Sequence, residues 1–342
     1  SLYIFASSIF HVNENDGILK YRVLGNIIHS QINIHREFGG VFPMLAKREH
    51  IKNLPILYEK IIEESRISEK QIGKIAVTKG PGLEPALWTG ILFAQDLGKR
   101  LSIPVIPINH MEGHIIGSLL SKSEVHNDFH KLLPVEFPAL AVLISGGHTE
   151  IVKVENFGKY EVLGATVGDA VGEAFDKVAR MLGLPYPGGP EISKLAELAR
   201  KNKIENKIKL PRPMLHSKDL KFSFSGLKTA VLYTLRELGE ISNEQKQDLA
   251  REFENAVTDV LISKTKDAIE EVGPKTLIIG GGVIANKYIR SYFEKLANEH
   301  SIPLYMPING LSGDNALMIA IVGAIKPGEG SLGFKAEGNL SL

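Results

Sequence analysis

The sequence predicts an α/β protein with two lobes. Its 342 residues are enough for two separate hydrophobic cores. Both halves of the chain contain buried strands that run into glycine-rich turns and then helices, at Gly80-Pro81-Gly82 in the first half and at Gly280-Gly281-Gly282 in the second. Two such lobes, with their glycine turns facing a cleft, are suited to holding a nucleotide between them.

Composition excludes several classes of function. Hydrophobic residues make up 44% of the chain, and no apolar run reaches the roughly 18 residues of a membrane span. We therefore predict a soluble protein without a membrane partner, cytoplasmic by default and mitochondrial as the alternative. The absence of cysteine excludes disulfides, thiolate metal ligands and a cysteine nucleophile. Because neither a Walker A motif nor a GxGxxG turn after a strand occurs, P-loop and dinucleotide-binding Rossmann folds are not expected.

The segment His110-Met111-Glu112-Gly113-His114 predicts a metal site. Histidines four residues apart on a helix project from one face, which is a common way to present two imidazoles to one ion. The alternative is a pair of core or capping histidines. In metalloproteases a glutamate directly follows the first histidine, whereas Glu112 stands one residue further on. We therefore expect Glu112 to point elsewhere.

A metal site also needs a third ligand from a distant part of the chain. The best candidate is Asp314, which stands in a loop before an apolar helix at Leu317 to Ile325. The alternative for Asp314 is a simple cap of that helix. Two neutral imidazoles and a carboxylate leave open positions on an ion, which can then act as a Lewis acid or orient an anionic group.

Three local patterns lead to further expectations. The stretch from Ile18 to Ile34 is rich in β-branched and aromatic residues and predicts a strand. A helix is expected from about Asp169 to Leu182, with the carboxylates of Asp169, Glu173 and Asp176 on one face. The alternative for this face is an ordinary solvated acidic surface. The segment Tyr186-Pro187-Gly188-Gly189-Pro190 predicts a rigid loop.

Positive charge is concentrated in residues 200–228, which contain nine Lys and Arg residues and only two acidic ones. The whole chain has a net charge of only +1, so any contact with nucleic acid must come from such a local patch. The alternative is an ordinary solvated surface. We predict tRNA contacts at Arg212, Lys221 and Lys228 within this segment.

Eight short motifs occur in order along the chain. They are Gly39-Gly40-Val41-Phe42-Pro43, His110-Met111-Glu112-Gly113-His114, Ser145-Gly146-Gly147-His148-Thr149, Gly172-Glu173-Ala174-Phe175-Asp176-Lys177, Tyr186-Pro187-Gly188-Gly189-Pro190, Phe222-Ser223-Phe224-Ser225-Gly226-Leu227-Lys228, Gly281-Gly282-Val283-Ile284-Ala285-Asn286 and Asp314-Asn315-Ala316. Together they resemble the tRNA threonylcarbamoyladenosine transferase family (TsaD, once named O-sialoglycoprotein endopeptidases). The resemblance covers nearly the whole chain.

The resemblance implies a two-lobed actin/Hsp70-like (ribonuclease H-like) α/β fold with the ligand cleft between the lobes. We expect residues 1–131 and about 322–342 in one lobe and residues 132–321 in the other. The implied reaction is metal-assisted transfer of a threonylcarbamoyl group from threonylcarbamoyl-AMP to N6 of adenosine 37, in tRNAs that read codons beginning with adenine. Since the acyl donor is already activated, no side chain is assigned as a nucleophile.

By the same resemblance, one divalent ion per subunit, iron or zinc, is held by His110, His114 and Asp314. The expected ligand-binding residues are Leu143, Ile144, Ser145, Gly146 and Gly147, which line the ligand, and Asp176, Gly189 and Asn286, which bind its adenylate portion. Further candidates for the ligand site are Ser193, Glu173, Gly281 and Gly282. Ser193 stands where many members of the family have an aspartate.

The resemblance also implies partners besides tRNA and threonylcarbamoyl-AMP. Bacterial members act with a paralogous subunit and a small P-loop ATPase, and mitochondrial members act as homodimers. The family's first strand and the acidic, serine-containing signature after it have no counterpart in this sequence, so we expect that the chain beginning at Ser1 is truncated.

Three rival functions remain open on the sequence. The old family name suggests a zinc peptidase, against which the missing HExxH motif argues. A small-molecule kinase of the same fold superfamily would phosphorylate its substrate with ATP. A non-catalytic partner subunit would be expected to lack the histidine pair and Asp314, both of which this chain has.

Overall fold

A computed structural model describes residues 4–15, 18–38, 40–121, 130–308, 310–326, 330 and 333–342. Gly39, the first residue of the first motif, lies outside these ranges. The chain contains both helices and strands, as expected for an α/β protein, and they alternate from residue 75 to residue 117 and from residue 276 to residue 325. Among the described residues, none of the helices has both the length and the apolar character that crossing a membrane requires.

The helices and strands are numbered in chain order. The N-terminal part contains β1 (Ile4–Asn15), β2 (Ile18–Ser30), α1 (Ile32–Arg36), α2 (Pro43–Ser65), β3 (Ile75–Gly80), α3 (Glu84–Leu101), β4 (Val105–Asn109), α4 (His110–Gly117) and β5 (His130–Lys131). The central part contains β6 (Ala139–Ile144), β7 (Thr149–Asn156), β8 (Lys159–Ala165), α5 (Val171–Met181), α6 (Gly188–Lys201), α7 (Ser225–Leu238), α8 (Asn243–Val272), β9 (Thr276–Gly280), α9 (Lys287–Glu299) and β10 (Leu304–Tyr305). The last helix is α10 (Ala316–Ile325).

The first of two compact units comprises residues 1–134 and 307–342. Strand β2 pairs antiparallel with β1 and β5, and β3 pairs in parallel with β4. Helix α10 packs on β3, β4 and α4, so closely that a Cβ on Gly323 would lie 2.6 Å from that of Ala76. Because of this packing, residues 307–321 group with the first unit, whereas the expected boundary placed them in the other lobe. The assignment of lobes stays a prediction.

The second unit comprises residues 135–306 and is built on a five-stranded sheet. The strand order is β10-β9-β6-β7-β8, with β10, β9 and β6 parallel and β7 antiparallel to both of its neighbours. All residues of β6 are buried. The 30-residue helix α8 contributes Phe253, Val257 and Leu261 to the same hydrophobic core. This core fixes the ends of the strands and helices that carry the predicted ligand-binding residues of the second unit.

Two expectations about local structure were wrong. The strand predicted from Ile18 to Ile34 ends at Ser30, and α1 begins at Ile32. The helical turn brings Nε2 of His35 within 3.3 Å of Oε1 of Gln31, and both side chains are buried. The loop predicted through Pro190 ends at Pro187, and α6 begins at Gly188. A carboxylate of α5 accepts a hydrogen bond from the first backbone N–H of α6, which stabilises the helix start.

Two buried histidines connect α1 with α2. Nδ1 of His35 accepts a hydrogen bond from the backbone N–H of Phe42 at 3.3 Å, and Nδ1 of His50 donates to the carbonyl oxygen of Ala46 at 2.6 Å. The acceptor role of His35 requires a neutral imidazole, because a protonated ring has no acceptor nitrogen. Burial lowers the pKa of His50 from 6.5 to about 4, and it also lowers the pKa of His35.

We expect His50 to make the protein less stable in mild acid. A histidine whose pKa is lowered by folding contributes its full stability above 6.5 and loses it as the pH falls toward about 4. Between about pH 7 and pH 4.5, the free energy of unfolding in urea should fall by roughly 2 kcal/mol less in His50→Gln than in the native protein. His29→Gln, at an exposed histidine, is the control and should keep the native pH dependence. An unchanged pH dependence in His50→Gln would contradict the prediction.

Candidate functional site

Helix α4 begins directly where β4 ends, and Asn109 forms the junction. Its side-chain oxygen accepts hydrogen bonds from the backbone N–H groups of Met111 at 2.9 Å and Glu112 at 3.4 Å, which caps the helix. Every residue of α4 is buried. The strand and the cap together fix the direction of the helix and so the positions of its two histidines.

His110 and His114 lie one turn apart on α4 and face one carboxylate. Nε2 of His110 is 2.8 Å from Oδ1 of Asp314, and Nε2 of His114 is 3.0 Å from the same oxygen. The exposed fractions of the side chains are 9% for His110, 2% for His114 and 20% for Asp314. The three groups predicted as ligands therefore form one largely buried cluster within the first unit.

The helix cap considered as an alternative for Asp314 is provided by the next residue. Oδ1 of Asn315 accepts a hydrogen bond from the backbone N–H of Met318 at 2.9 Å, and Asn315 is the N-cap of α10. Asp314 precedes the cap, and its carboxylate is directed at the histidines. The capping interpretation of Asp314 was therefore wrong.

The geometry of these three side chains fits a divalent cation. Their ligand atoms all lie within 4.8 Å of one another. Each ligand atom of such an ion stands about 2.0–2.2 Å from it. The separations of 2.8 and 3.0 Å are therefore short enough for the carboxylate to share an ion with either histidine. Two imidazole nitrogens and one carboxylate are the donors of many catalytic zinc sites and of non-haem iron sites.

Packing between α4 and α10 brings Asp314 to the histidines. A Cβ on Gly113 would lie 2.9 Å from Cδ1 of Ile319, and a Cβ on Gly117 would lie 3.1 Å from that of Met318, so the two helices approach closely. Oε2 of Glu112 forms an ion pair with Nζ of Lys326 at 2.8 Å, just after α10. The ion pair of Glu112 therefore helps to hold α10 against α4. Its carboxylate is directed at Lys326 and does not take the position of the general base of an HExxH peptidase.

The predicted ligand loop begins at the end of β6. Leu143 and Ile144 are both fully buried, and their role in lining a ligand stays a prediction. Ser145 closes a tight turn, in which its backbone N–H donates to the carbonyl oxygen of His148 at 2.8 Å. Gly146 and Gly147 have open space where a Cβ would stand. A ligand can therefore approach the backbone of these glycines closely.

Asp176, which was predicted to bind the adenylate, lies against the start of α6. Its Oδ1 accepts a hydrogen bond from the backbone N–H of Gly188 at 2.7 Å, and Gly189 donates to the same carboxylate. Burial raises the pKa of Asp176, and the two N–H groups oppose that rise only in part. Asp176 and Gly189 are thus in direct contact, and Gly189 has open space around its Cα.

Asn286 and Ser193 are also brought together. Nδ2 of Asn286 donates a hydrogen bond to Oγ of Ser193 at 2.6 Å. Ser193 belongs to α6, the helix whose first residues contact Asp176. The predicted adenylate residues therefore converge on the first turns of α6, within the second unit. Their role in binding a ligand stays a prediction.

The remaining ligand candidates have structural partners. Glu173 pairs with Lys177 at 2.7 Å and is 46% exposed, which fits the solvated acidic surface considered as the alternative. Asp169 shares Lys177 at 2.8 Å, so these two carboxylates form a group apart from Asp176. Gly281 has a φ of 94°, and a Cβ there would lie 2.4 Å from the carbonyl oxygen of Ile144. Gly282 follows it as the first residue of a 3-10 turn at Gly282–Ala285.

Two of the three predicted tRNA contacts form ion pairs within the protein. Arg212 binds Glu252 and also Asp259, the latter at 2.9 Å. Lys228 pairs with Asp169 at 3.1 Å. Lys221 is exposed. The local net charge of the basic segment therefore overstates the charge that these residues offer to RNA, and their contacts with tRNA stay a prediction.

The sequence interpretation missed the residues that support Asn286. Oε1 of Glu254 accepts a hydrogen bond from Nδ2 of Asn286 at 2.6 Å, and its other oxygen binds Arg200. A signal was present, because Glu254 stands on the apolar stripe of α8, at helical spacing from Ala250 and Val257. A charged residue on the buried face of a helix indicates a partner in the interior.

Comparison with known sequences identifies the family. A family model described as TsaD, tRNA N6-adenosine threonylcarbamoyltransferase, matches residues 22–321. A relative with that enzyme name from Thermosipho africanus (strain TCF52B) is 46% identical over 302 residues, which cover 88% of this chain and 87% of the relative. A second, from Thermosipho melanesiensis, is 44% identical and covers 94% of each chain. A third, from Aromatoleum aromaticum, is 42% identical over 91% of this chain and 86% of the relative.

Solved structures agree on the fold. The crystal structure of HypF from T. kodakarensis matches 94% of this chain and 48% of its own, with a TM-score of 0.53 at 14% identity. Full-length HypF in its phosphate- and nucleotide-bound form gives a TM-score of 0.51 at 14% identity, over 92% of this chain and 55% of its own. The predicted α/β fold of the actin/Hsp70-like class is confirmed. With its sequence matched over residues 22–321, the chain belongs to the tRNA N6-adenosine threonylcarbamoyltransferase family, TsaD.

Proposed function

We propose that this chain transfers a threonylcarbamoyl group from threonylcarbamoyl-AMP to N6 of adenosine 37 in tRNAs that read codons beginning with adenine. The observation that carries the proposal is the cluster of His110, His114 and Asp314 in a member of this family. Membership makes the chain a tRNA-modifying transferase. None of the relatives reported above is named a peptidase or a small-molecule kinase.

One divalent ion per subunit, iron or zinc, is proposed at the cluster. When bound, such an ion supplies a Lewis acid that orients or neutralises an anionic group. Both histidines face Asp314 through Nε2, so Nε2 serves as the ligand atom and the ring proton resides on Nδ1. The low exposure of the three side chains limits competition from water.

Residues of the second unit are proposed to bind the adenylate portion of the donor. The Asp176 carboxylate, which already accepts hydrogen bonds from Gly188 and Gly189 at the start of α6, is proposed to accept one more from a ribose hydroxyl. Gly146, Gly147 and Gly189 have open space at Cα, so a flat base or a ribose can contact the backbone. Asn286 and Ser193 add polar groups beside α6.

The reaction itself requires positioning more than covalent catalysis. The N6 amine attacks the carbonyl carbon of the threonylcarbamoyl group, the bond from that carbon to the phosphate oxygen breaks, and AMP leaves as N6 loses one proton. Because the donor is a mixed anhydride, no side-chain nucleophile is needed. The protein contributes by holding the two reactants and by stabilising negative charge on the carbonyl oxygen.

Partners and location extend the proposal. A paralogous subunit and a small P-loop ATPase are proposed as partners, or alternatively a second copy of the chain. Lys221, which is exposed, is proposed to contact the tRNA backbone, together with Arg212 and Lys228 where their ion pairs open. The cytoplasm is the proposed compartment, with mitochondria as the alternative.

The direct test is modification of unmodified tRNA. The purified chain, by itself and with the two partner proteins from a Thermosipho relative, is given threonylcarbamoyl-AMP, and the tRNA nucleosides are analysed by mass spectrometry. We expect threonylcarbamoyladenosine to form, and its rate of formation to fall more than about 100-fold in His110→Ala. His29→Ala is the matched control at an exposed histidine and should keep the native rate. Absence of the product with and without partners would refute the proposal.

A further inference from the structure

We infer that Glu254 and Arg200 are positioning residues that fix the orientation of the Asn286 amide. The inference rests on the proposed function, since it concerns the proposed adenylate site. Asn286 Oδ1 accepts a hydrogen bond from the backbone N–H of Ile289 at 3.0 Å, which caps α9. Its Nδ2 donates one hydrogen bond to Ser193 and one to Glu254, each at 2.6 Å.

Glu254 decides which end of the Asn286 amide faces α8. A carboxylate only accepts hydrogen bonds, so the NH2 end of the amide must point at it. Turning the amide over would place Oδ1 against the carboxylate and would remove the cap of α9. The Glu254 side chain is 1% exposed, so water cannot take the place of the lost hydrogen bond.

Arg200 in turn holds the Glu254 carboxylate. Its Nη1 binds Oε2 of Glu254, its Nη2 donates to Oδ1 of Asn255 at 2.7 Å, and its guanidinium lies 3.5 Å from the ring centroid of Tyr288. The guanidinium thus contacts both α8 and α9. Removing it would leave a buried carboxylate without its cation, which is costly in a protein interior.

The hydrogen bond from Asn286 also restricts the direction in which the Ser193 hydroxyl can donate. Because Oγ of Ser193 accepts a hydrogen bond from Asn286, its own O–H is directed to a different acceptor. An ionised aspartate at this position could only accept. The pair of Glu254 and Arg200 therefore sets the hydrogen-bonding pattern that Asn286 and Ser193 present to a nucleotide.

The test measures binding of AMP by isothermal titration calorimetry. Glu254→Gln keeps the shape of the side chain but no longer forces one orientation of the amide, and Arg200→Met removes the cation. We expect each to raise the Kd for AMP about tenfold, with a smaller increase in Arg200→Lys, which restores the charge. Lys201→Met is the matched control, because this neighbouring cation on α6 is exposed, and it should bind AMP like the native protein.

The transfer assay distinguishes a role in positioning the adenylate site from a general role in holding the fold together. In the transfer assay, the KM for threonylcarbamoyl-AMP should rise about tenfold in Glu254→Gln while kcat and the metal content of the protein stay at their native values. Native AMP affinity and native KM in Glu254→Gln and both Arg200 variants would overturn the inference, as would a fall in kcat alone. Glu254→Gln and Arg200→Lys conserve size and polarity, so they decide the question even if Arg200→Met does not fold.

Asn286→Ala separates this inference from the proposed site itself. If Asn286→Ala weakens AMP binding but the Glu254 and Arg200 variants do not, the positioning role is wrong and the adenylate site stands. If Asn286→Ala binds AMP with native affinity, the proposed adenylate site is wrong. If the native protein does not bind AMP, both proposals fail together.

Discussion

Replacing Asp314 by alanine is expected to remove the bound metal and to reduce threonylcarbamoyl transfer by more than about 100-fold. Its carboxylate faces Nε2 of both His110 and His114, at 2.8 and 3.0 Å. A pair of imidazoles on one helix then remains, and two ligands hold a divalent ion far less tightly than three. The measurement is metal content by inductively coupled plasma mass spectrometry, followed by the transfer assay.

Asp96→Ala is the matched control for that variant. Asp96 is an exposed aspartate on α3, and the same substitution there should leave both metal content and transfer unchanged. Because Asn315 caps α10, the loss of Asp314 should cost the helix little stability. Native metal content in Asp314→Ala would contradict the assignment of this residue as a ligand.

Replacing Gly188 by alanine is expected to disrupt the proposed adenylate site by a steric route. A Cβ at Gly188 would lie 2.4 Å from the Cβ of Ala179 and 2.8 Å from Cα of Asp176. Both atoms belong to the body of α5, so α6 itself must shift, and the hydrogen bond from Gly188 to Asp176 must lengthen. We expect a loss of roughly 1–3 kcal/mol in the free energy of unfolding. AMP binding should weaken about tenfold as the two helices separate.

Gly189→Ala is the matched control for stability. A Cβ on Gly189 meets no atom within 4 Å, so this variant should unfold at the native urea concentration or slightly above it. We therefore expect alanine to destabilise the protein at Gly188 but not at Gly189. Equal stability of the two variants in urea would show that α5 and α6 pack less tightly than these distances require.

Part of the candidate metal site could be predicted from the sequence, because the geometry of its two histidines is local. Two histidines four residues apart must share a face of α4, whatever surrounds the helix. Asp314 stands about 200 residues away, and its role followed from the ordered motifs and from its place before an apolar helix. The sequence left open whether Asp314 caps the helix after it, and the structure gives that role to Asn315.

The features that were missed depend on contacts between distant segments. Arg200 and Glu254 stand 54 positions apart, and their pairing follows from the packing of α6 on α8. The start of α6 at Gly188 depends on Asp176, twelve positions earlier. The strand predicted through Ile34 was wrong because the buried pair of Gln31 and His35 favours a helical turn over the local β-propensity. The first two features depend on contacts between separate helices, whereas the third is a contact within one helical turn.

We expect one ion to be bound jointly by His110, His114 and Asp314. A crystal of the protein grown with zinc, measured at wavelengths on both sides of the zinc absorption edge, tests it most directly. We predict one anomalous peak about 2.0–2.2 Å from Nε2 of each histidine and from a carboxylate oxygen of Asp314. A fully ordered first unit with no peak at these three side chains, or with the peak at other residues, would contradict it.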